Sequence, residues 1–237
     1  MKKFRSLAAL FCIGLIIGAA AFRLTRANTW SRSQFSSNLK RAGERRADTF
    51  DSLAKERYRL DASQSKFVAH ALRGGLLWFK GHDHLVAVRE FTGEAQLDRS
   101  SLAASSLEIT AKTASMEETS SVFTDAQKKI INKELHDIVL LPDQYPDIVF
   151  KSTSVTGKAI GTNQYELKIK GDLTLHGVTR QITIPTRVST NGNELRAQGD
   201  FSINRSDFKV KATSAVHGLI RVRDKLKFNF DIVGHQF

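Results

Sequence analysis

The sequence predicts an all-β fold with one inserted helix: an antiparallel barrel, preceded by an N-terminal hydrophobic helix. Three observations carry this. In the run Tyr165 to Pro185, Leu167, Ile169, Leu173 and Leu175 alternate with Lys168, Lys170, Asp172 and Thr174, which places apolar groups on one face of a strand and solvated groups on the other. The same period of two recurs at Leu107 and Ile109, at Phe201 and Ile203, at Phe208 and Val210, and at Leu226, Phe228, Phe230 and Ile232. Clusters of Gly, Asn, Asp and Ser separate these strands, and a meander this long must close or stack to cover its edges.

From the N-terminus, Lys2, Lys3 and Arg5 precede an apolar stretch from Ser6 to Phe22, and Ala19-Ala20-Ala21 satisfies the small-residue rule for cleavage. Residues 1–27 therefore read as a cleaved signal peptide or a retained signal anchor, since a span needs about 20 residues with a range of about 17 to 25. Residues 28–57 form a basic polar linker. The first 58 residues hold twelve Lys and Arg against four Asp and Glu, so most of the chain's net charge of +12 resides there. Such a segment either solvates a spacer or is drawn to anionic headgroups. Cys12, the only cysteine, lies in the apolar stretch, so the folded domain at 58–237 has no disulfide and no thiolate site.

Thr124-Asp125-Ala126-Gln127 has the form of a capping box. Ile131, Leu135 and Ile138 then recur at helical spacing before Pro142 stops the run, which predicts a helix of about four turns at roughly 3.6 residues each. Placed between strands, it would cover one barrel end or pack on one wall. At His176-Gly177 the chain turns, and Ile182, Ile184 and Val188 resume the alternation as the second strand of a hairpin whose register is set by its apolar face. Gly161-Thr162-Asn163 and Asn191-Gly192-Asn193 mark two further turns.

These residues resemble the YceI-like domains. The matching pieces are Gly171-Asp172-Leu173-Thr174-Leu175-His176-Gly177-Val178-Thr179, then Tyr145-Pro146-Asp147-Ile148-Val149-Phe150, and Asn204-Arg205-Ser206-Asp207-Phe208, in the family's order. Leu60-Asp61, with Ser65 and Phe67, looks like the family's opening strand, so the resemblance covers about residues 58–234. It departs at Lys209, where many members carry glycine. The resemblance implies a lipocalin-like barrel that binds an isoprenoid lipid.

Candidate chemistry is sparse. No Gly-rich phosphate loop, nucleophile elbow or Cys-x-x-Cys is present, and Glu117-Glu118 reads as solvated charge. Residues 59–237 carry 24 basic against 20 acidic side chains, with aromatics at core-facing strand positions, which argues against nucleic acid. His82-Asp83-His84 is the cluster to weigh for metal: in an extended strand both imidazoles share a face, but a third ligand is missing locally and His70, His136, His176 or His217 would have to approach. No metal and no cofactor are therefore expected, and His82 and His84 stand as weak metal candidates.

What remains is the apolar face itself. Leu167, Ile169, Leu173, Leu175, Phe201, Phe228 and Phe230 are either core or the lining of a pocket, and periodicity assigns the same pattern to both. The resemblance favours a pocket for an isoprenoid-type lipid, a prenyl phosphate or a quinone, in a periplasmic or envelope protein that is membrane-anchored through residues 6–22 or secreted. Two alternatives stand beside it: a metal-dependent envelope enzyme built on His82 and His84, and a structural barrel plugged by its own side chains.

Overall fold

The computed structural model describes residues 55–75, 77–212, 214–215 and 220–237. The expected N-terminal hydrophobic helix, its cleavage or retention, and linker residues 28–54 lie outside the described residues. Among the described residues no helix is long and apolar enough to cross a membrane.

In chain order the strands are β1 (Lys55–Gly74), β2 (His84–Val88), β3 (Phe91–Asp98), β4 (Ser106–Lys112) and β5 (Met116–Glu118), followed by helix α1 (Asp125–Glu134). After it come β6 (Asp147–Gly161), β7 (Gln164–Leu175), β8 (Val178–Asn191), β9 (Glu194–Asn204), β10 (Ser214–Ala215) and β11 (Ile220–Gln236). Eight of them form a closed antiparallel ring in the order β1-β3-β4-β6-β7-β8-β9-β11, and β11 pairs back on β1 through Phe67↔Phe230 and Ala69↔Phe228. Closure removes the ring's edges, which is the solution the long meander demands.

β1 changes partner along its length. Lys55 to Arg59 pair with Glu94 to Asp98 of β3, whereas Val68 to Ala71 pair with β2, which in turn pairs with β5. Lys55, Glu56 and Arg57, read from sequence as the end of the linker, thus already belong to the sheet. The switch follows an irregularity between Asp61 and Lys66. There the Asp61 carboxylate accepts from Ser63 N at 2.8 Å, and Ser65 Oγ accepts from Val233 N at 2.9 Å while donating to Asp61 O. Side-chain oxygens supply the ladder bonds that the bulged backbone cannot.

β7 shows the expected alternation without a break: Tyr165, Leu167, Ile169, Gly171, Leu173 and Leu175 are buried, and Glu166, Lys168, Lys170 and Asp172 are exposed. His176 (φ 52°) and Gly177 (φ 72°) join it to β8. Positive φ at both central residues gives the turn the twist that a two-residue hairpin needs. Tyr145 packs over this turn, with its ring centroid 4.1 Å from that of His176.

The helix departs from its expected form. The capping box is present: Thr124 Oγ1 accepts from Gln127 N, and Gln127 Oε1 accepts from Thr124 N at 2.8 Å. After Glu134, however, the chain widens into a π-helical segment, Leu135–Leu140, closed by Leu141 N donating to His136 O across five residues. The wider turn rotates the later residues, so Val139 and Leu140 point inward and Ile138 faces solvent. Of its two expected placements the helix takes the barrel end. Asn132 Oδ1 accepts from Glu118 N at 2.7 Å and His136 Nε2 lies 2.9 Å from Met116 O, tying the helix to β5.

Candidate functional site

The antiparallel register gives the barrel two distinct ends. The pairs Gly74↔Arg221, Lys112↔Asp147, Leu175↔Val178 and Asn204↔Lys225 all fall at one end, together with α1. The hairpins at Gly161–Gln164 and Asn191–Glu194 lie at the other.

That second end is sealed. Tyr58, fully buried, donates to Glu56 Oε2 at 2.6 Å, and Arg99 reaches Glu56 at 2.9 Å, Asn163 Oδ1 at 2.5 Å and Thr190 Oγ1 at 3.0 Å. Burial, reinforced by the Glu56 carboxylate, pushes the Tyr58 phenol up to about 12, so it remains a donor. These bonds knit β1, the segment after β3 and the two hairpins into a floor.

Above the floor lies an inner cavity of about 130 Å³. Leu167, Ile169, Leu173, Phe201 and Phe230 line it, and its polar contacts are confined to the uncharged Gln96, Ser105, Ser106 and Thr186. A second cavity of about 350 Å³ opens towards the α1 end, lined by Leu173, Leu175, Phe201 and Phe228 together with Ile131 and Leu135. All seven candidate lining residues therefore face one of two axial cavities. Phe67, Ala111, Ile148, Leu173 and Phe201 border both and form a waist between them. Two residues before Phe201 on the same side of β9, Gly199 has no side chain where the paired Phe230 ring packs: a Cβ there would sit 2.7 Å from Phe230 Cζ. The ring therefore encloses space beside its own side chains.

The outer cavity has a charged mouth. Arg73, Arg205, Lys211 and Arg221 line it with His82, His84 and a single acidic residue, Glu134. Arg205 Nη1 donates to Val210 O at 2.9 Å, while its Nε lies 3.9 Å from Asp224 Oδ1 and has no hydrogen-bond acceptor among the described residues. A recess beside the mouth is shared by Arg205, Arg221, Arg223 and Asp224. No sequence pattern marks these basic residues, because they come from the ends of β1 and β11 and from the segment after β9 and meet only on closure.

His82, which lies before β2, and His84 do share one side: both rings pack on Phe123, at 5.6 and 5.2 Å. Asp83 turns away to accept from Arg73 N at 2.9 Å. His84 Nδ1 is 2.8 Å from Glu118 Oε2, and the other Glu118 oxygen accepts from Leu85 N and Ser120 N. Glu118 is thus no solvated charge. Its burial pushes the carboxyl up, but the bonds from His84, Ser120 and Leu85 together outweigh this and hold it below the usual carboxylate range. Among the described residues no group of three or more His, Cys, Asp or Glu gathers as a metal site.

Comparison with known proteins agrees with this geometry. A UPF0312 protein of Vibrio parahaemolyticus is 33% identical over 104 residues, 44% of this chain and 49% of the relative. Another from Pseudomonas savastanoi pv. phaseolicola is 30% identical over 132 residues, 52% of this chain and 62% of the relative. The chain spans about half the length of the curated relatives it matches. Among solved structures, Burkholderia cenocepacia BcnA superposes with a TM-score of 0.57 at 22% identity, over 73% of this chain and 98% of that one. A polyisoprenoid binding domain from Saccharophagus degradans gives 0.55 at 13% identity, over 76% and 98%. At these identities the likeness is one of fold, a closed eight-stranded lipocalin-like barrel. The sequence profile of the YceI-like domain matches residues 58–234, most of the chain and the whole of the ring from Tyr58 to Gly234, and the protein belongs to that family.

Proposed function

We propose that this protein binds an isoprenoid-type lipid, a prenyl phosphate or a quinone, and performs no chemistry on it. The observation that carries the reading is the pair of axial cavities: apolar and sealed at one end, basic at the other. A prenyl tail would thread from the mouth past Phe201 towards Leu167 and Ile169. Each methylene withdrawn from water contributes about 0.8 kcal/mol, so sequestration alone suffices for tight binding. The outer cavity by itself falls in the usual ligand range of about 300–1,000 Å³. The mouth lining holds four permanent cations and Glu134, and although Asp83 and Asp224 stand beside Arg73 and Arg205, the remaining excess of cations favours a phosphate head over a quinone, since an anion there gains charge-assisted hydrogen bonds that a neutral ring forgoes. The binding of polyisoprenoid by the Saccharophagus degradans domain supports the same reading.

Native mass spectrometry of protein purified from its native host tests this: a co-purifying prenyl lipid is expected, and a chain that stays lipid-free after incubation with prenyl phosphates and quinones overturns it. We also place the protein in the periplasm or cell envelope, anchored or secreted, on the strength of Lys2, Lys3 and Arg5 before the apolar residues 6–22. An alkaline phosphatase fusion after residue 57 is expected to be active, and an inactive fusion retained in the cytoplasm overturns the placement.

A further inference from the structure

Large apolar side chains exposed to water are distributed unevenly over the barrel. Phe79 (59%), Val122 (57%), Ile130 (63%) and Ile138 (44%) all lie at the mouth end. Phe79 precedes His82 by three residues; Val122 adjoins Phe123, whose ring stacks on His84; Ile130 and Ile138 lie one turn either side of Glu134, which lines the mouth. The other end exposes fewer, Ile160 (40%) and Phe237 (51%), the latter flanked by the guanidinium groups of Arg57 and Arg59, 4.8 and 4.6 Å from its ring.

The mouth-end apolar residues come from three separate segments that surround an opening, and exposed cations stand among them: Lys80 beside Phe79, Lys129 beside Ile130, then Lys211 and Arg221 on the rim. An apolar ring with interleaved Lys and Arg matches an anionic bilayer surface, where the apolar tips enter the headgroup boundary and the cations meet lipid phosphates. We propose that the mouth end docks on anionic bilayers, so that the cavity opens directly onto the membrane and a lipid passes between them without crossing water. The purpose of docking rests on the lipid-binding reading above, but docking itself is measured separately from cargo. It concerns the barrel and not residues 6–22.

The test uses the full chain with Cys12→Ser, which removes its only cysteine, and one new cysteine at Val122, Ile130 or Ile160, labelled with an environment-sensitive fluorophore. Ile160 is exposed at the sealed end and serves as the reference. With vesicles of phosphatidylcholine and phosphatidylglycerol, labels at 122 and 130 are expected to shift to the blue while the label at 160 does not. Lys80→Gln and Lys129→Gln should each weaken the titration about fivefold. No shift at 122 and 130, an equal shift at 160, or an equal response to pure phosphatidylcholine overturns the proposal. A shift at 122 and 130 in protein that native mass spectrometry shows to be lipid-free upholds docking and counts against the cargo reading alone.

Discussion

The rings of Phe201 and Phe228 lie parallel, 9° between planes and 4.8 Å between centroids, on directly paired positions of β9 and β11. Phe67 meets Phe228 at 6.1 Å and Phe230 at 6.4 Å, so three strands supply one aromatic cluster at the waist. Such pairs contribute about 0.5–1.5 kcal/mol beyond the area they bury. Under the lipid-binding proposal they would also set how far a tail can pass.

Phe201→Ala is therefore expected to join the two cavities. Truncating a buried Phe costs about 3–5 kcal/mol, and a ring that already borders empty space belongs at the low end. Denaturant unfolding should show about 3 kcal/mol lost, while native mass spectrometry shows that longer prenyl chains are accepted. A loss of all lipid binding from a still folded variant would contradict the waist.

Leu173→Phe probes the same passage from β7, two strands round the ring from Phe201. Leu173 borders both cavities, so the added atoms enter void and stability should change by less than about 1 kcal/mol, whereas overpacking a filled core costs about 1–3 kcal/mol. Lipid binding should fall. Thermal unfolding alongside a lipid titration separates the two cases.

Two turn positions should respond with opposite signs. Gly177 has φ +72°, and a Cβ there would lie 2.9 Å from Tyr145 Cε1, so Gly177→Ala is expected to cost about 1–2 kcal/mol. Lys209 holds φ 57° after the 3₁₀ turn Arg205–Phe208, the left-handed conformation that glycine adopts without strain. Lys209→Gly should raise stability by up to about 1 kcal/mol. Melting temperatures of the two variants, one down and one up from wild type, are the check.

Glu118 predicts an acid limb. Its carboxyl titrates lower in the folded protein than the ordinary value of about 4.3, so its contribution is fully present above that value and is lost as pH falls through the folded one. Glu118→Gln should cost about 1–3 kcal/mol at neutral pH, because a buried acceptor of His84, Leu85 and Ser120 is altered. The gap between variant and wild type should close below about pH 4. A gap that is independent of pH would show that the carboxylate charge is not what matters.

At the mouth, Arg205→Ala and Arg221→Ala should weaken a prenyl phosphate more than the corresponding uncharged prenol, by about tenfold each if one charge-assisted bond is lost. Equal effects on both ligands would mean that the arginines act through packing. Competition binding with the two ligands decides this.

The apolar lining was legible in sequence because a strand repeats every two residues, so position alone decides which side of the sheet a residue takes; Leu167, Ile169, Leu173 and Leu175 needed nothing more. The capping box at Thr124 and the turn at His176-Gly177 were legible for a similar reason, since both are satisfied by atoms a few residues apart. Ile138 misled, because a π-helical turn leaves no mark in a pattern read at 3.6 residues per turn. Glu118 misled too: apart from Ser120, its partners His84 and Leu85 lie more than thirty residues away, so the local sequence does not mark it as buried.

The sequence by itself determined the alternating strands, the placement of apolar side chains on one face and, through its motifs, the family. Only the tertiary structure decided that the ring closes with space inside, that aromatics from β1, β9 and β11 form the waist, and that Arg73, Arg205, Lys211 and Arg221 converge on one mouth. Local patterns record which way a side chain points relative to its own backbone. Cavity and charge arise where distant segments meet, and that depends on register and closure around the whole ring.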